Sequence, residues 1–433
     1  MEKVELRNIG PICEVTFDVN KINVIIGPQS SGKSTIAKVV CFCQWMEKTI
    51  IQHQSKEHVT SDFVNIHLIE YHQFSNYINE ETYIKYTSDI ISFEYKGGEI
   101  SLDLLLDISD AKLPKIAYIP SERNIITMPG IASLPLPLIN LRSFIFDWLE
   151  IHSKFTEENP VSLLNLEINY HFDNTSKNDF VTLSDGKKIE LKEASSGLQS
   201  VVPLYVYLKY YTEWIYNNQE DISFDNNSAV SEALTKELFK LGPLNEEISE
   251  ESLKELAKLE SARNQAKTLY ARLRNLDLGI LQQDKDLFRL RLLEDNITKP
   301  HKSKMTLEEP EQNLFPETQV KLLYDILGMI NNGRDTLFIT THSPYILYAL
   351  NNSMLGYLVS NNIPDEIKNN MNIPFINPMD VSVWEIKDGR FYSASENCNG
   401  TIQDQKGLIR GNYFDRIMKN VMGQFSNLIS YME

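Results

Sequence analysis

The chain has only four cysteines in 433 residues, Cys13, Cys41, Cys43 and Cys398, and they lack the spacing of a zinc site. That excludes a zinc-finger or disulfide-stapled scaffold and leaves core thiols in a reducing compartment. No apolar run approaches the ~20 residues that span a bilayer. The opening Met1-Glu2-Lys3-Val4-Glu5 carries acid and no apolar stretch of a secretory signal, which predicts a cytoplasmic protein with no membrane partner. Positive charge is short as well: 42 Lys and Arg stand against 59 Asp and Glu, a net −17. Such a chain is not coated to neutralise nucleic-acid phosphates, although a local basic surface remains open to it. What remains is a globular composition, long enough for two or three domain-sized units or one large α/β domain with insertions.

What is present begins with "IIGPQSSGKST", residues 25–35. Val24, Ile25 and Ile26 read as a strand buried on both faces. Gly27-Pro28-Gln29-Ser30-Ser31-Gly32-Lys33-Ser34 then fits G-x-x-x-x-G-K-[ST]. The glycines allow a tight turn that points several N–H groups into one concavity, and the helix predicted from Thr35 onward adds partial positive charge there. Gly27, Gln29, Ser30, Ser31, Gly32, Lys33, Ser34 and Thr35 are therefore candidate ATP-binding residues. Lys33 would reach the β- and γ-phosphates and Ser34 would ligate Mg²⁺.

Three further segments carry chemistry. "EASSGLQSVVPLYVYL" places Ser196, Gly197 and Gln199 at a helix start, where a hydroxyl and free N–H groups make a second phosphate site; taken alone, the same residues are an N-cap. "LEEPEQNLFPETQ" supplies adjacent carboxylates. Glu308 would hold Mg²⁺ through water, and Glu309 would position and deprotonate the attacking water; the competing reading is an exposed acidic turn. The strand before them, Lys302-Ser303-Lys304-Met305-Thr306-Leu307, is more polar than a central strand should be, which puts its burial in question. "DTLFITTHSPYIL" gives a β-branched strand ending at His342, about thirty residues beyond the acidic pair.

Phosphate loop, signature-like loop, acidic pair and histidine occur in the order found in ABC-type ATPases, and the alternating Val4, Leu6, Val15, Phe17 and Val19 resemble that family's N-terminal β-lobe. The chain resembles the stand-alone prokaryotic ATPases of the overcoming-lysogenisation (OLD), RecF and SMC kind, and is similar to the ATPase subunits of the PARIS and Septu anti-phage systems. "KIAYIPSERN", with Glu122 and Arg123, resembles the strand and turn ahead of their helical lobe. Leu198 stands where the second signature glycine is usual. A Q-loop glutamine could be Gln73, although an ordinary surface glutamine is the better reading there.

The resemblance implies an α/β P-loop NTPase of ABC ATPase-like type with an N-terminal β-lobe and a helical insertion. The units would be 1–216, with phosphate loop and signature, a helical insertion over 217–300, and 301–433. Within the insertion, Leu259, Ala262, Ala266, Leu269, Leu273 and Leu276 follow a short heptad seam. Lys254, Lys258, Arg263, Lys267, Arg272, Arg274, Arg289, Arg291, Lys299, Lys302 and Lys304 make it the most basic region, either a partner or nucleic-acid surface or a solvated face of i,i+4 pairs. A hairpin turning at Asp388-Gly389 and a final amphipathic helix over about 413–431 close the chain. OLD nucleases need an Asp-x-Asp pair there, and this tail has none.

The implied function is an ATPase of two facing copies, or a higher homo-oligomer built from such pairs, each ATP lying between the P-loop of one and Ser196/Gly197 of the other, with Glu309 activating water and His342 sensing the γ-phosphate. The resemblance extends to control of a separately encoded effector, a nuclease in phage defence. The alternatives are a repair or chromosome-structure ATPase acting on DNA, and a slowly hydrolysing ATP-held scaffold that assembles a partner.

Overall fold

A computed structural model describes residues 2–128, 130–131, 139–163, 168–218, 229–230, 232–234, 285–392 and 400–432. The heptad seam and the basic residues from 254 to 274 lie outside these residues, as does Cys398.

Among the described residues one sheet of eleven strands forms. Its antiparallel side begins with β1 (Glu2–Ile9) and β2 (Ile12–Val19), paired in register from Glu2 opposite Val19 to Ile9 opposite Ile12. Alternate residues Val4, Leu6, Val15 and Phe17 point into the core, as the period of two demands. β4 (Tyr83–Thr87), β5 (Ile91–Lys96) and β6 (Glu99–Leu104) extend this side outward from β1. The parallel side comprises β3 (Ile22–Ile26), β7 (Pro114–Ile119), β12 (Lys302–Glu308) and β13 (Thr336–Thr340). They lie in the order β3-β13-β12-β7, so the strand ending at the phosphate loop has the strand ending near His342 beside it and the acidic strand next.

The hairpin is where the sequence places it: β14 (Val381–Lys387) and β15 (Arg390–Tyr392) turn through left-handed Asp388 and Gly389. Its position in the sheet is not visible in the local pattern. β14 runs parallel to β3 and β15 meets β2, so the hairpin joins the antiparallel lobe to the parallel half. A second sheet, β8 (Val161–Leu163), β9 (Ile168–Asp173), β10 (Asn178–Thr182) and β11 (Lys188–Glu190), lies apart from the first.

Two large apolar cores form among the described residues, beside a smaller cluster around Leu113, Leu293 and Ile297. One packs β3, β7, β12 and β13 against the helices Asn140–Ile151, Ser196–Lys209, Pro316–Ile330 and Pro344–Val359. The other packs the β-lobe against the P-loop helix Lys33–His53, through Ile36, Val39, Phe42 and Met46. Cys41 and Cys43 are buried in that helix, and burial pushes the Cys41 thiol up to about 12, as expected of inert core thiols; Cys13 departs from that expectation, because its place on β2 leaves it exposed.

β12 overturns the doubt raised by its polarity. It is an interior strand, paired with β13 on one side and β7 on the other, and buried from Ser303 to Glu308. Met305 and Leu307 face one core. On the opposite face Lys304, 2 % exposed, donates to Glu2 Oε1 at 2.7 Å and Glu47 Oε1 at 3.4 Å. Gln44 Nε2 donates to Glu2 Oε2 at 2.8 Å, and the Tyr86 hydroxyl to Glu47 Oε2 at 3.3 Å. Burial alone would pull the Lys304 ammonium down, but Glu2 and Glu47 lift it above its ordinary value. Burial would likewise raise Glu2, and Lys304 with Gln44 brings it below the usual range. A buried charge persists when paired and hydrogen-bonded in this way.

The same observation bears on the described part of the basic region. Lys304 is not a surface residue. Arg291 pairs with Glu294 at 2.7 Å, Lys299 with Asp295, and Arg289 approaches Asp107 at 3.9 Å. These described residues form acid-paired positions rather than a cationic strip.

Candidate active site

The site is built at the carboxyl ends of β3, β12 and β13. After Ile26 the backbone passes through Gly27 at φ 153°, Ser30 at 60° and Gly32 at 102° before the helix starts at Lys33. Successive residues of this kind turn N–H groups inward. A Cβ on Gly27 would lie 2.6 Å from the backbone oxygen of Ile386, and one on Gly32 would lie 2.3 Å from Ile12 Cδ1. Gly27 therefore requires glycine for space as well as for conformation, and Gly32 for its conformation, since the Ile12 methyl it would meet can move. Gln29, Ser30 and Ser34 are exposed at the rim; Lys33 and Thr35 are buried.

Lys33 Nζ donates to the carbonyls of Gly27 at 2.9 Å and Pro28 at 2.7 Å, acceptors that phosphate oxygens can replace. Burial brings its ammonium down to about 8, against the pull of Glu309 and Glu311. Glu308, at the end of β12, is buried, and its Oε1 has no hydrogen-bond partner. Burial raises this carboxyl above its ordinary value, although Lys38, Ser34 and Tyr118 act in the opposite direction.

Glu309 follows in a left-handed conformation, φ 45°, rare for a residue with a side chain. Its N–H donates to the Thr340 carbonyl at 2.9 Å, and the Thr341 N–H donates to Ile25 at 3.1 Å. The acidic turn, the histidine loop and the P-loop strand are thus tied in series. Glu309 Oε1 lies 3.4 Å from His342 Nε2. The His342 side chain, then Lys33 and Arg123, holds the Glu309 carboxyl below the usual range, so it is ionised at neutral pH.

Two residues to which sequence reasoning gave no role complete the site. Glu311 is buried and accepts the His342 backbone N–H at 2.6 Å. Arg123, fully buried, bonds the carbonyls of Glu308, Glu309 and Pro310. The local signal for Arg123 was present, an arginine closing the apolar strand "KIAYIP", but its partners lie almost two hundred positions downstream.

The signature-like residues stand apart. Ser195 is the N-cap of Ser196–Lys209, its side chain accepting from the Leu198 N–H at 3.4 Å, and Ser196 is exposed in the first turn. Gln199 Nε2 donates to the carbonyls of Lys192 and Ala194, so its amide shapes the preceding loop. A Cβ on Gly197 would lie 3.1 Å from the Asn313 carbonyl, which places this helix start against the segment after the acidic turn. Among the described residues no hydrogen bond joins 196–199 to 27–35. Gln73 is exposed in a left-handed turn, as an ordinary surface glutamine would be.

The donor set fits a nucleotide with its magnesium. Of the twelve buried side-chain polar atoms without a partner among the described residues, five belong to Ser31, Glu308, Glu311, Gln312 and Thr340, on the phosphate loop, the acidic turn and the end of β13. No group of three or more His, Cys, Asp or Glu among the described residues could hold a metal by itself. One hydroxyl and one carboxylate beside a phosphate loop suit an ion that keeps waters and takes phosphate oxygens as ligands.

A family model described as an AAA domain matches residues 3–304. The acidic turn and His342 lie beyond the matched span. No curated protein matches the chain. Among solved structures it is similar to the SMC head domain from Thermotoga maritima, at 12 % identity over 80 % of this chain and 90 % of that one, TM-score 0.35. It is also similar to an ATP-binding cassette of an ABC transporter in its ADP conformation, at 12 % identity over 91 % and 90 %, TM-score 0.31. A third is the recombination mediator protein RecF of the RecFOR pathway, at 12 % identity over 90 % and 96 %, TM-score 0.27.

Proposed function

This chain belongs to the AAA domain family, and from that premise we propose that it binds and hydrolyses ATP as a nucleotide-driven dimerisation switch. The observation that carries the reading is the convergence of Lys33 and Ser34 with Glu308, Glu309 and His342, among buried polar atoms that the protein leaves unpaired. Gly27, Gln29, Ser30, Ser31, Gly32 and Thr35 cradle the phosphates, with Lys33 on the β- and γ-oxygens. Ser34 and Glu308 hold Mg²⁺, which when bound neutralises charge on the phosphate oxygens. Glu309, ionised and steered by His342, accepts a proton from the attacking water. His342 contacts the γ-phosphate. Ser196, Gly197 and Gln199 present the signature helix of one copy to the nucleotide of a second. ATP then stabilises the closed pair and hydrolysis releases it.

The switch acts in the cytoplasm as the sensor subunit of an anti-phage system and controls a separately encoded nuclease. This step rests on the resemblance to OLD-type, PARIS and Septu ATPases. No helix among the described residues is long and apolar enough to cross a membrane. Direct action on DNA draws no support from the described basic residues, which pair with acids. The scaffold reading loses the feature that favoured it, because the polar β12 is buried and its lysine paired.

The test is turnover and light-scattering mass with ATP. The wild type should hydrolyse ATP, and Glu309→Gln should lose at least about 10²-fold in kcat while accumulating as an ATP-bound dimer. Equal rates in the two proteins remove Glu309 as the base. DNA-stimulated turnover that falls steeply with salt would favour the repair reading.

A further inference from the structure

A guanidinium taken out of water needs its donors filled, because each unsatisfied one costs free energy that nothing returns. Arginine has five N–H donors in a rigid planar fork. In Arg123, 0 % exposed, all of them go to backbone carbonyls. Nε donates to Ser200 at 2.9 Å. Nη1 donates to Glu308 at 3.0 Å and Pro120 at 3.4 Å. Nη2 donates to Glu309 and Pro310, both at 3.0 Å. Burial brings the guanidinium down to about 10, against Glu311, Glu309, Glu122 and Glu308 around it, so it stays charged.

The identity of the five carbonyls matters more than their number. Three belong to the acidic turn, including Glu309, whose left-handed backbone is one of the strained points of the site. Fixing the peptide planes on both sides of Glu309 fixes the direction of its side chain toward His342. The Nε bond goes elsewhere, to Ser200 in the helix Ser196–Lys209. Gly197 of that helix abuts Asn313, so helix and turn meet at a second point. A rigid planar group with bonds to both elements cannot follow one without moving the other.

We propose that Arg123 is a positioning residue that couples the signature helix to the acidic turn, so that a shift of the helix on contact with a second copy's nucleotide re-aims Glu309. The inference rests on the reading of Glu309 as the base and of Ser196–Gln199 as the segment the second copy's nucleotide touches. It adds a route by which occupancy of one site is felt at the other.

The test compares wild type, Arg123→Lys and Glu309→Gln in ATP turnover, thermal midpoint and hydrogen exchange. Lysine keeps the charge but cannot span both elements. Arg123→Lys should lower kcat roughly ten- to a hundredfold with the KM for ATP within about threefold. Exchange should quicken in a peptide covering 308–314 and stay unchanged over 24–40. Unchanged kcat, or a loss that is recovered fully on cooling below the variant's lowered midpoint, overturns the proposal. Should the lysine variant not fold, wild-type hydrogen exchange across an ATP titration decides. Protection over 196–200 and over 308–314 should rise with one midpoint, and separate midpoints overturn the coupling. If Glu309→Gln turns over normally, the base assignment fails while the exchange measurement still judges Arg123.

Discussion

Lys304 and Glu308 sit four residues apart on the same face of β12, both buried, and the protein treats them in opposite ways. Around Lys304 the charges are answered: two carboxylates, an amide and a phenol close a network drawn from β1, β4, β12 and the P-loop helix. Around Glu308 the answer is partial: Lys38, Ser34 and Tyr118 favour the carboxylate, yet burial outweighs them and raises the carboxyl, Oε1 has no hydrogen-bond partner, and Ser31, Glu311, Gln312 and Thr340 contribute further buried atoms without partners. Folding completes the pairing at one end of the strand and leaves buried polar atoms unmatched at the other. A polar buried strand is thus informative in two ways, according to whether its neighbours complete it.

Several substitutions can break or sharpen this contrast. The largest effect is expected at the unpaired end, on activity. Lys33→Ala should abolish ATP turnover, with at least about 10³-fold loss of kcat/KM in a coupled phosphate-release assay and a preserved circular-dichroism spectrum. Next comes the paired end, on stability. Lys304→Met strands Glu2 and Glu47 in the core and should cost about 3–5 kcal/mol in urea unfolding, partly restored when Glu2→Gln and Glu47→Gln accompany it. Glu308→Gln should do the reverse without nucleotide: replacing a carboxyl that burial disfavours should leave unfolding stability at neutral pH unchanged or up to about 1 kcal/mol higher. Equal destabilisation at the two ends would erase the contrast.

The smallest effect is in pH. Lys33 titrates at about 8 in the folded protein, below its ordinary 10.5. A depressed lysine makes the fold bind its proton less tightly than the unfolded chain does, so its contribution to stability rises with pH between those two values. The charge that holds phosphate is lost over the same window. ATP affinity, measured by fluorescent-nucleotide titration from pH 7 to 9.5, should therefore weaken as pH passes about 8. In Lys33→Met it should be low and flat.

How much of this was legible in sequence follows from the range of the interactions. The phosphate loop, the strand ending at Thr340, the N-terminal hairpin and the Asp388–Gly389 turn each declare themselves within a dozen residues, through glycine placement or runs and alternations of apolar residues. The β12 polarity misled because its resolution comes from Glu2 and Glu47, more than 250 positions away. Arg123 was seen only as part of a turn for the same reason: its bonds reach Ser200 and Glu309. Glu311 was passed over as one more acid in an acidic run, and its backbone bond to His342 exists only once β12 and β13 lie side by side. The seat of β14 beside β3 is likewise a matter of sheet order, which local periodicity does not encode.

The unfilled end of β12 is tested most directly by calorimetric titration of ATP into wild type and Glu308→Gln, each with and without Mg²⁺. Magnesium should tighten ATP binding to the wild type, and in Glu308→Gln most of that gain should vanish while metal-free affinity stays within about threefold. An equal magnesium gain in both proteins would contradict the assignment of Glu308 and its unpaired neighbours to the metal–nucleotide seat.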